Sequence, residues 1–246
     1  MKVNLFEGEQ LDDLELDNLK IIQKNDGYKF STDSVLLANF AKAKPNDICI
    51  DLCSGSGVVA MLFLWKNKIK KEIAVEIQPR LADMAKRSAE FNNLTDRLEI
   101  VNIDLKNAPE KLGFEIADVI TVNPPYNTSQ SHSETEEIAI ATHELKTNLK
   151  EIAQSSAKLL KFGGKLYMIH RSDRLADIIY ELKKCKLEPK VLQIVYPKAT
   201  KEPNLVLIEA KKGAKTGLKI LAPLILNNED GSETEELKQI YNRKAK

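Results

Sequence analysis

The chain has 246 residues, 43% hydrophobic and 30% charged, with a formal net charge of +1. That apolar fraction can bury one sizeable core, and the balanced charge does not by itself advertise a nucleic-acid binder. No apolar run is long enough to span a bilayer, and the opening Met1 to Glu7 lacks the charged-then-apolar layout of a secretory leader, so a soluble cytoplasmic protein is expected.

In chain order, Leu11 to Phe30 reads as a small extension with a turn at Asn25-Asp26-Gly27, followed by a short helix over 33–42. From Asp47 onward, short β-rich apolar runs alternate with segments of helical period, which is the pattern of βαβ units and a parallel sheet. Seven strands are predicted, at 48–52, 72–77, 98–102, 117–122, 164–170, 191–196 and 205–210. Helices are expected at 58–66, at 80–92 with Leu81, Met84, Ala85, Ser88 and Ala89 on one face, at 144–160, and at 174–184. Phe162-Gly163-Gly164 offers a left-handed cap to the third of these. No helix separates the last two strands, which favours an antiparallel hairpin at the sheet edge. The division expected is an N-terminal extension over 1–44, one α/β domain over 45–226, and a polar tail over 227–246 that is a solvated helix or loose chain.

Charge is unevenly spread. Between Glu181 and Ile220, ten lysines stand against four glutamates, and acidic residues in the first twenty positions and in the tail offset them. By default such a surplus is a solvated face. The three cysteines, Cys49, Cys53 and Cys185, make no disulfide framework, and with three histidines and no CxxC no metal site is expected.

The chemistry concentrates in four places. Asp51-Leu52-Cys53-Ser54-Gly55-Ser56-Gly57 closes the first predicted strand and opens a helix, where glycines permit close backbone approach and the helix start exposes unpaired N–H groups. Alone this segment also satisfies the permissive glycine pattern of NAD sites. Glu76, with Ile77 after it, ends the second strand, where a carboxylate can accept both hydroxyl hydrogens of a ribose. Asp104, followed by Leu105, lies just past the third strand, placed to accept from an adenine amino group.

The fourth place separates the cofactors. Asn123-Pro124-Pro125-Tyr126 directly follows the apolar strand Ile120-Thr121-Val122, and two prolines force the strand to stop and the chain to turn over its carboxyl end. An exocyclic or amide nitrogen has its lone pair delocalised. Hydrogen bonds from its N–H groups to the Asn123 side-chain oxygen and the Pro124 carbonyl would help localise that pair. Tyr126 offers a face for a flipped base, a stacking contact of about 1–3 kcal/mol in single-stranded nucleic-acid sites.

Together these segments resemble the class I S-adenosylmethionine-dependent amino-methyltransferases. Gly8 to Leu14, Phe30 to Leu37, His170 to Leu175 and Glu202 to Glu209 further resemble the tRNA1(Val) adenine N6-methyltransferases, a similarity reaching to about Leu226. The resemblance implies a Rossmann-like sheet and S-adenosyl-L-methionine bound by Asp51, Ser54, Gly55, Gly57, Glu76, Ile77, Asp104, Leu105 and Asn123. Thr32 and Asp33 would close over the cofactor. It assigns Asn123, Pro124, Pro125 and Tyr126 as catalytic and a tRNA as substrate, methylated at the adenosine 3′ of the anticodon. His143 and Glu144 stay outside the catalytic set, and Arg171 and Arg174 could meet RNA phosphate or pair with Asp173 and Asp177. Cys53 departs from the family pattern, standing where a first glycine is usual. The motif also serves protein glutamine N5-methyltransferases and ribosomal RNA guanine N2-methyltransferases. Fewer than fifty residues precede the first strand of the sheet, which does not suit the helical recognition domain usual in the glutamine enzymes. An NAD oxidoreductase would leave Asp104 and Asn123-Pro124-Pro125-Tyr126 unexplained, and a non-catalytic RNA-binding module would not need the intact motif.

Overall fold

The computed structural model describes residues 4–16, 18–25, 32–124 and 148–242. The chain opens with a hairpin of β1 (Glu9–Asp13) and β2 (Lys20–Lys24), antiparallel with Leu11 opposite Ile22. The N–H groups of Lys20 and Ile22 donate to Asn92 Oδ1 and Ser88 Oγ, each at 2.9 Å, which clamps the hairpin on a later helix. α1 (Thr32–Phe40) follows, its residues 33–38 buried.

The next run is β3 (Ile48–Leu52), α2 (Val58–Asn67), β4 (Lys71–Glu76), α3 (Pro79–Phe91), β5 (Leu98–Asn102), α4 (Ala108–Leu112) and β6 (Ala117–Val122). The first seven residues of α2 are all buried, as an apolar surface on every side requires. α3 starts with Pro79 in its first turn and buries the predicted stripe of Leu81, Met84, Ala85, Ser88 and Ala89.

Beyond residue 147 come α5 (Leu149–Leu159), β7 (Leu160–Arg171), α6 (Leu175–Lys184), β8 (Leu187–Lys198), β9 (Leu205–Lys212), the short β10 (Lys219–Ile220) and β11 (Leu224–Asn227), and α7 (Glu235–Ile240). A capping box starts α5: Glu151 N–H donates to Asn148 Oδ1 at 3.1 Å. The main sheet runs β10-β8-β9-β7-β6-β3-β4-β5, with β11 also on β8. β9 runs antiparallel to both neighbours, while the pairs among β3 to β7 are parallel. Two apolar layers cover the faces: α1, α2 and the C-terminal helix on one, α4, α5 and α6 on the other.

Three expectations change. The expected antiparallel hairpin of β8 and β9 is present, with β9 beside β7, but β10 and β11 add outside β8 and extend seven strands to nine. The glycines near 163 do not cap a helix: α5 stops at Leu159 and β7 begins at once. Gly163, with φ +80°, and Gly164 lie in an irregularity where pairing jumps from Ala117–Leu160 to Val119–Lys165. A Cβ on Gly164 would stand 3.2 Å from the Ala117 carbonyl oxygen, so the bulge requires the bare backbone. The tail is docked rather than loose: Leu237 and Ile240 of α7 are buried, Lys66 Nζ donates to the Ile240 carbonyl at 2.9 Å, and Tyr241 donates to Thr32 Oγ1 at 3.3 Å.

Candidate active site

Strand register gathers the sequence motifs on one edge. Leu52 is level with Val75 and Val122, and Glu76 with Asn102, so the segments after β3, β4, β5 and β6 all leave the carboxyl end of the sheet side by side. The strand order turns back between β3 and β6, one pointing its connection toward β4 and the other toward β7. This is the switch point at which open α/β sheets bind ligands.

The turn after β3 is built from left-handed backbone. Cys53, Gly55 and Gly57 have φ of +58°, +56° and +89°. Cys53 thus adopts the conformation that a glycine would take without strain, which is the physical content of its departure from the family pattern. A Cβ on Gly55 would meet nothing within 4 Å, so the side facing away from the chain is open, whereas one on Gly57 would lie 3.1 Å from Ala85 Cβ. Gly55 keeps a cradle clear, and Gly57 lets α2 pack on α3.

Glu76 closes the turn against β4. Its Oε2 accepts from Gly55 N–H and its Oε1 from Gln78 N–H, each at 2.8 Å. Each oxygen keeps a lone pair for an outside donor. Burial raises the carboxyl pKa, and the backbone N–H groups of Gln78, Gly55 and Ile77 pull it back. Ile77, half-buried, enters the site through that backbone N–H.

Asp51 sits beneath the turn, 1% exposed. Thr121 donates to its Oδ1 at 2.7 Å, and its Oδ2 has no partner. Burial pushes its pKa up to about 7, against the Thr121 hydrogen bond and the Ala60 backbone N–H, while the nearby Glu76 adds repulsion. Ser54 Oγ is likewise buried without a partner.

Asp104 caps the short 3-10 turn after β5, accepting from Lys106 N–H at 2.9 Å and pairing with Lys106 Nζ at 3.2 Å. Leu105 turns its side chain into the core, so only its backbone can face a ligand.

Asn123 and Pro124 continue β6 over the same edge. Asn123 Nδ2 donates to Ser34 Oγ at 3.2 Å, and its Oδ1 is buried with no partner. Ser34 itself is 5% exposed on α1. By taking the amide N–H, the serine leaves the amide oxygen as the free acceptor at the edge. Thr32, on the same helix, is tied to Tyr241. Pro125, Tyr126, His143 and Glu144 lie outside the described residues.

Sequence reasoning missed Ser34, Thr121 and Gln78. Ser34 stands beside the Thr32 and Asp33 that were singled out, and Thr121 is a polar residue in the apolar run before Asn123, so both left a faint signal. Arg171 and Arg174 are paired with Asp173 at 3.0 Å and Asp177 at 2.8 Å. His170 accepts the Arg171 N–H through Nδ1 at 2.8 Å, and burial pushes it down to about 4, so it is neutral.

A seven-strand core in the order β8-β9-β7-β6-β3-β4-β5 with β9 antiparallel, an open cradle after β3 and a carboxylate at the end of β4 define the class I methyltransferase fold. Solved structures agree: a predicted O-methyltransferase from Agrobacterium tumefaciens superposes with a TM-score of 0.71 at 21% identity, over 87% of this chain and 98% of that one. TYW2 from M. jannaschii, solved in complex with AdoMet, superposes with a TM-score of 0.58 at 13% identity, over 85% and 87%. The chain belongs to the methyltransferase small domain family, which matches residues 28–185. A curated relative from Porphyromonas gingivalis, named tRNA1(Val) (adenine(37)-N6)-methyltransferase, is 27% identical over 74% of this chain and 73% of its own length.

Proposed function

We propose that this chain transfers a methyl group from S-adenosyl-L-methionine to the exocyclic N6 of an adenosine in tRNA, at the adenine 37 that the curated relative's name gives, which the family resemblance places 3′ of the anticodon. The observation that carries the reading is the Asn123 amide. Its nitrogen is held by Ser34, and its oxygen is a buried, unsatisfied acceptor at the ligand-binding edge. A buried acceptor of this kind is costly unless something donates to it, at about 1–3 kcal/mol.

The residues present fit the cofactor. The open side of Gly55, the remaining lone pairs of Glu76, the orphaned Ser54 Oγ and Asp51 Oδ2, and the Asp104 carboxylate offer acceptors and close backbone approach for a nucleoside with cationic groups. Asp51, Ser54, Gly55, Gly57, Glu76, Ile77, Asp104, Leu105 through its backbone, Asn123 and Thr32 form the proposed cofactor site. The bound cofactor supplies an electrophilic methyl carbon on a sulfonium.

Asn123 Oδ1 and the Pro124 carbonyl accept from the two N–H groups of the target nitrogen and draw its lone pair out of the ring. Pro125 and Tyr126 complete the proposed catalytic segment by fixing the turn and stacking on the base. A nitrogen–carbon bond forms as the sulfur–carbon bond breaks, and the methylated nitrogen releases its proton to solvent. Alignment and electrostatics then supply the rate.

The test is transfer of labelled methyl to unmodified bulk tRNA, to ribosomal RNA and to purified release factor in parallel, with nucleoside mass spectrometry of the RNA. N6-methyladenosine in tRNA is expected. Label in N2-methylguanosine, or in protein alone, would reassign the substrate.

A further inference from the structure

The lysine surplus seen in the sequence has a definite place in the fold. Lys211, Lys215 and Lys219 lie on β9, on the loop after it and on β10, wrapped around the amino half of β8, where Lys190 Nζ donates to the Lys215 carbonyl at 3.0 Å. Gly213 N–H donates to the Lys186 carbonyl at 2.9 Å, bringing Lys186 to the same turn. Lys211 also lines a cleft of about 400 Å³ with Lys42, Lys44, Lys161 and Lys165, against which stand Asp47 and Asp118. Phe162, at the cleft, is 80% exposed, and its ring packs against Gly213.

Lys161 holds Asp118 at 2.7 Å and Lys165 holds Glu209 at 3.1 Å, but pairing distinguishes the other cations here from those of the catalytic edge. Among the described residues, Lys106, Arg171 and Arg174 at the carboxyl end each hold a carboxylate. Lys44, Lys186, Lys190, Lys211, Lys215 and Lys219 hold none among the described residues. Lysines without a carboxylate on the turn beside the cleft and at its rim, with an exposed aromatic ring next to them, suit a phosphodiester backbone with an unstacked base or sugar edge nearby.

We infer that the amino end of the sheet, around the turn of Lys211 to Lys219 and the cleft beside it, is a second contact surface for the RNA substrate, binding its backbone phosphates. The inference rests on the tRNA reading given above. Arg171 lies six residue steps along β7 from Lys165, about 20 Å of extended chain, so this surface reaches RNA well away from the target base. It acts on affinity for a whole tRNA and leaves the chemistry untouched.

The experiment compares full-length tRNA with an isolated anticodon stem-loop, by fluorescence anisotropy at several salt concentrations and by methyl transfer. The variant is Lys211→Glu with Lys215→Glu; the control, with the same charge change, is Lys86→Glu with Lys111→Glu on α3 and α4. The expected result is a loss of about tenfold in affinity for full-length tRNA with a salt slope shallower by about 1.5. Stem-loop binding, cofactor affinity and thermal midpoint should stay as in the parent chain. Full-length tRNA affinity equal to the parent's, or no lower than the control's, would overturn the inference, as would an equal loss on the stem-loop. A shift in oligomeric state with tRNA binding intact would assign the surface to protein instead. Failure of the parent chain to methylate any tRNA would be a failure of the functional reading, visible before any lysine is changed.

Discussion

The two ends of the sheet treat polar groups differently. At the amino end the chain closes its own hydrogen bonds: Lys70 N–H donates to the Pro45 carbonyl at 2.9 Å, and the Arg97 guanidinium to the carbonyls of Ile69 at 2.8 Å and Leu64 at 3.4 Å. At the carboxyl end, Asp51 Oδ2, Ser54 Oγ and Asn123 Oδ1 are buried and unsatisfied, beside a turn with three left-handed residues. Three unmet polar groups gathered around one left-handed turn mark where the fold gives up stability for binding.

The strongest way to break this comparison is to remove the acceptor. Asn123→Ala should lower kcat by about 10²–10³, the scale for one transition-state hydrogen-bonding group, while cofactor affinity by calorimetry changes little. Equal losses in both would mean that Asn123 chiefly holds the cofactor. Ser34→Ala should follow with a loss of about tenfold in kcat, because the amide is freed to turn its nitrogen toward the substrate. An unchanged cofactor affinity and an unchanged thermal midpoint, measured alongside, separate that role from a structural one.

Much of this edge could be read from the sequence because each motif pairs a strand end with residues that cannot continue a strand. Gly55 and Gly57 after β3 and Pro124 after β6 fix both the boundary and the loop, and the bounds of β3, β5 and β6 came out as predicted. What could not be read depended on partners far along the chain. The β1–β2 hairpin is held by Ser88 and Asn92, some seventy residues away, and α7 is held by contacts from Lys66 and Thr32. Ser34 belongs to the same category. Nothing local in a buried helical serine shows that it faces Asn123, 89 positions later. The paired glycines at 163 and 164 misled for a related reason, since a helix cap and a bulge ask for the same residue and only the pairing with β6 decides between them.

Asp51 tests whether the unmet groups are poised for a charged ligand. Its pKa of about 7 means that the free protein holds it neutral below that pH and ionised above. A cofactor carrying a sulfonium and an ammonium favours the ionised form, so binding below pH 7 must release a proton. Affinity should therefore be about tenfold weaker at pH 6 than at pH 8 and level off above. Calorimetry in buffers of different ionisation enthalpy should detect the released proton near pH 6. In Asp51→Asn the difference from the parent's pH profile should isolate this group, and an identical profile would remove Asp51 from the account.

The smallest effect probes an exception to the comparison. Glu72, in the amino half of β4, is fully buried with neither oxygen partnered. Burial, with Asp51 adding repulsion, raises its pKa well above the usual carboxylate range. It differs from Asp51 in its setting: it is register-paired with Cys49 and Leu98, both buried in the apolar core, and takes no part in the turn of the catalytic edge. An orphaned group of that kind can only destabilise, so Glu72→Met should raise stability by about 1–3 kcal/mol, at about 2–4 °C of thermal midpoint per kcal/mol in a chain of this size. The sign with pH is fixed. A carboxyl whose folded pKa lies above its unfolded value of 4.5 costs the fold increasingly as pH climbs past 4.5 and until the folded pKa is passed. The advantage of Glu72→Met over the parent chain should thus be larger at pH 7 than at pH 4.5, in midpoints measured at both. A gain independent of pH would show that the carboxyl is ionised and compensated in the fold. Lost methyl transfer at unchanged stability would show that this buried acid, too, serves the catalytic end.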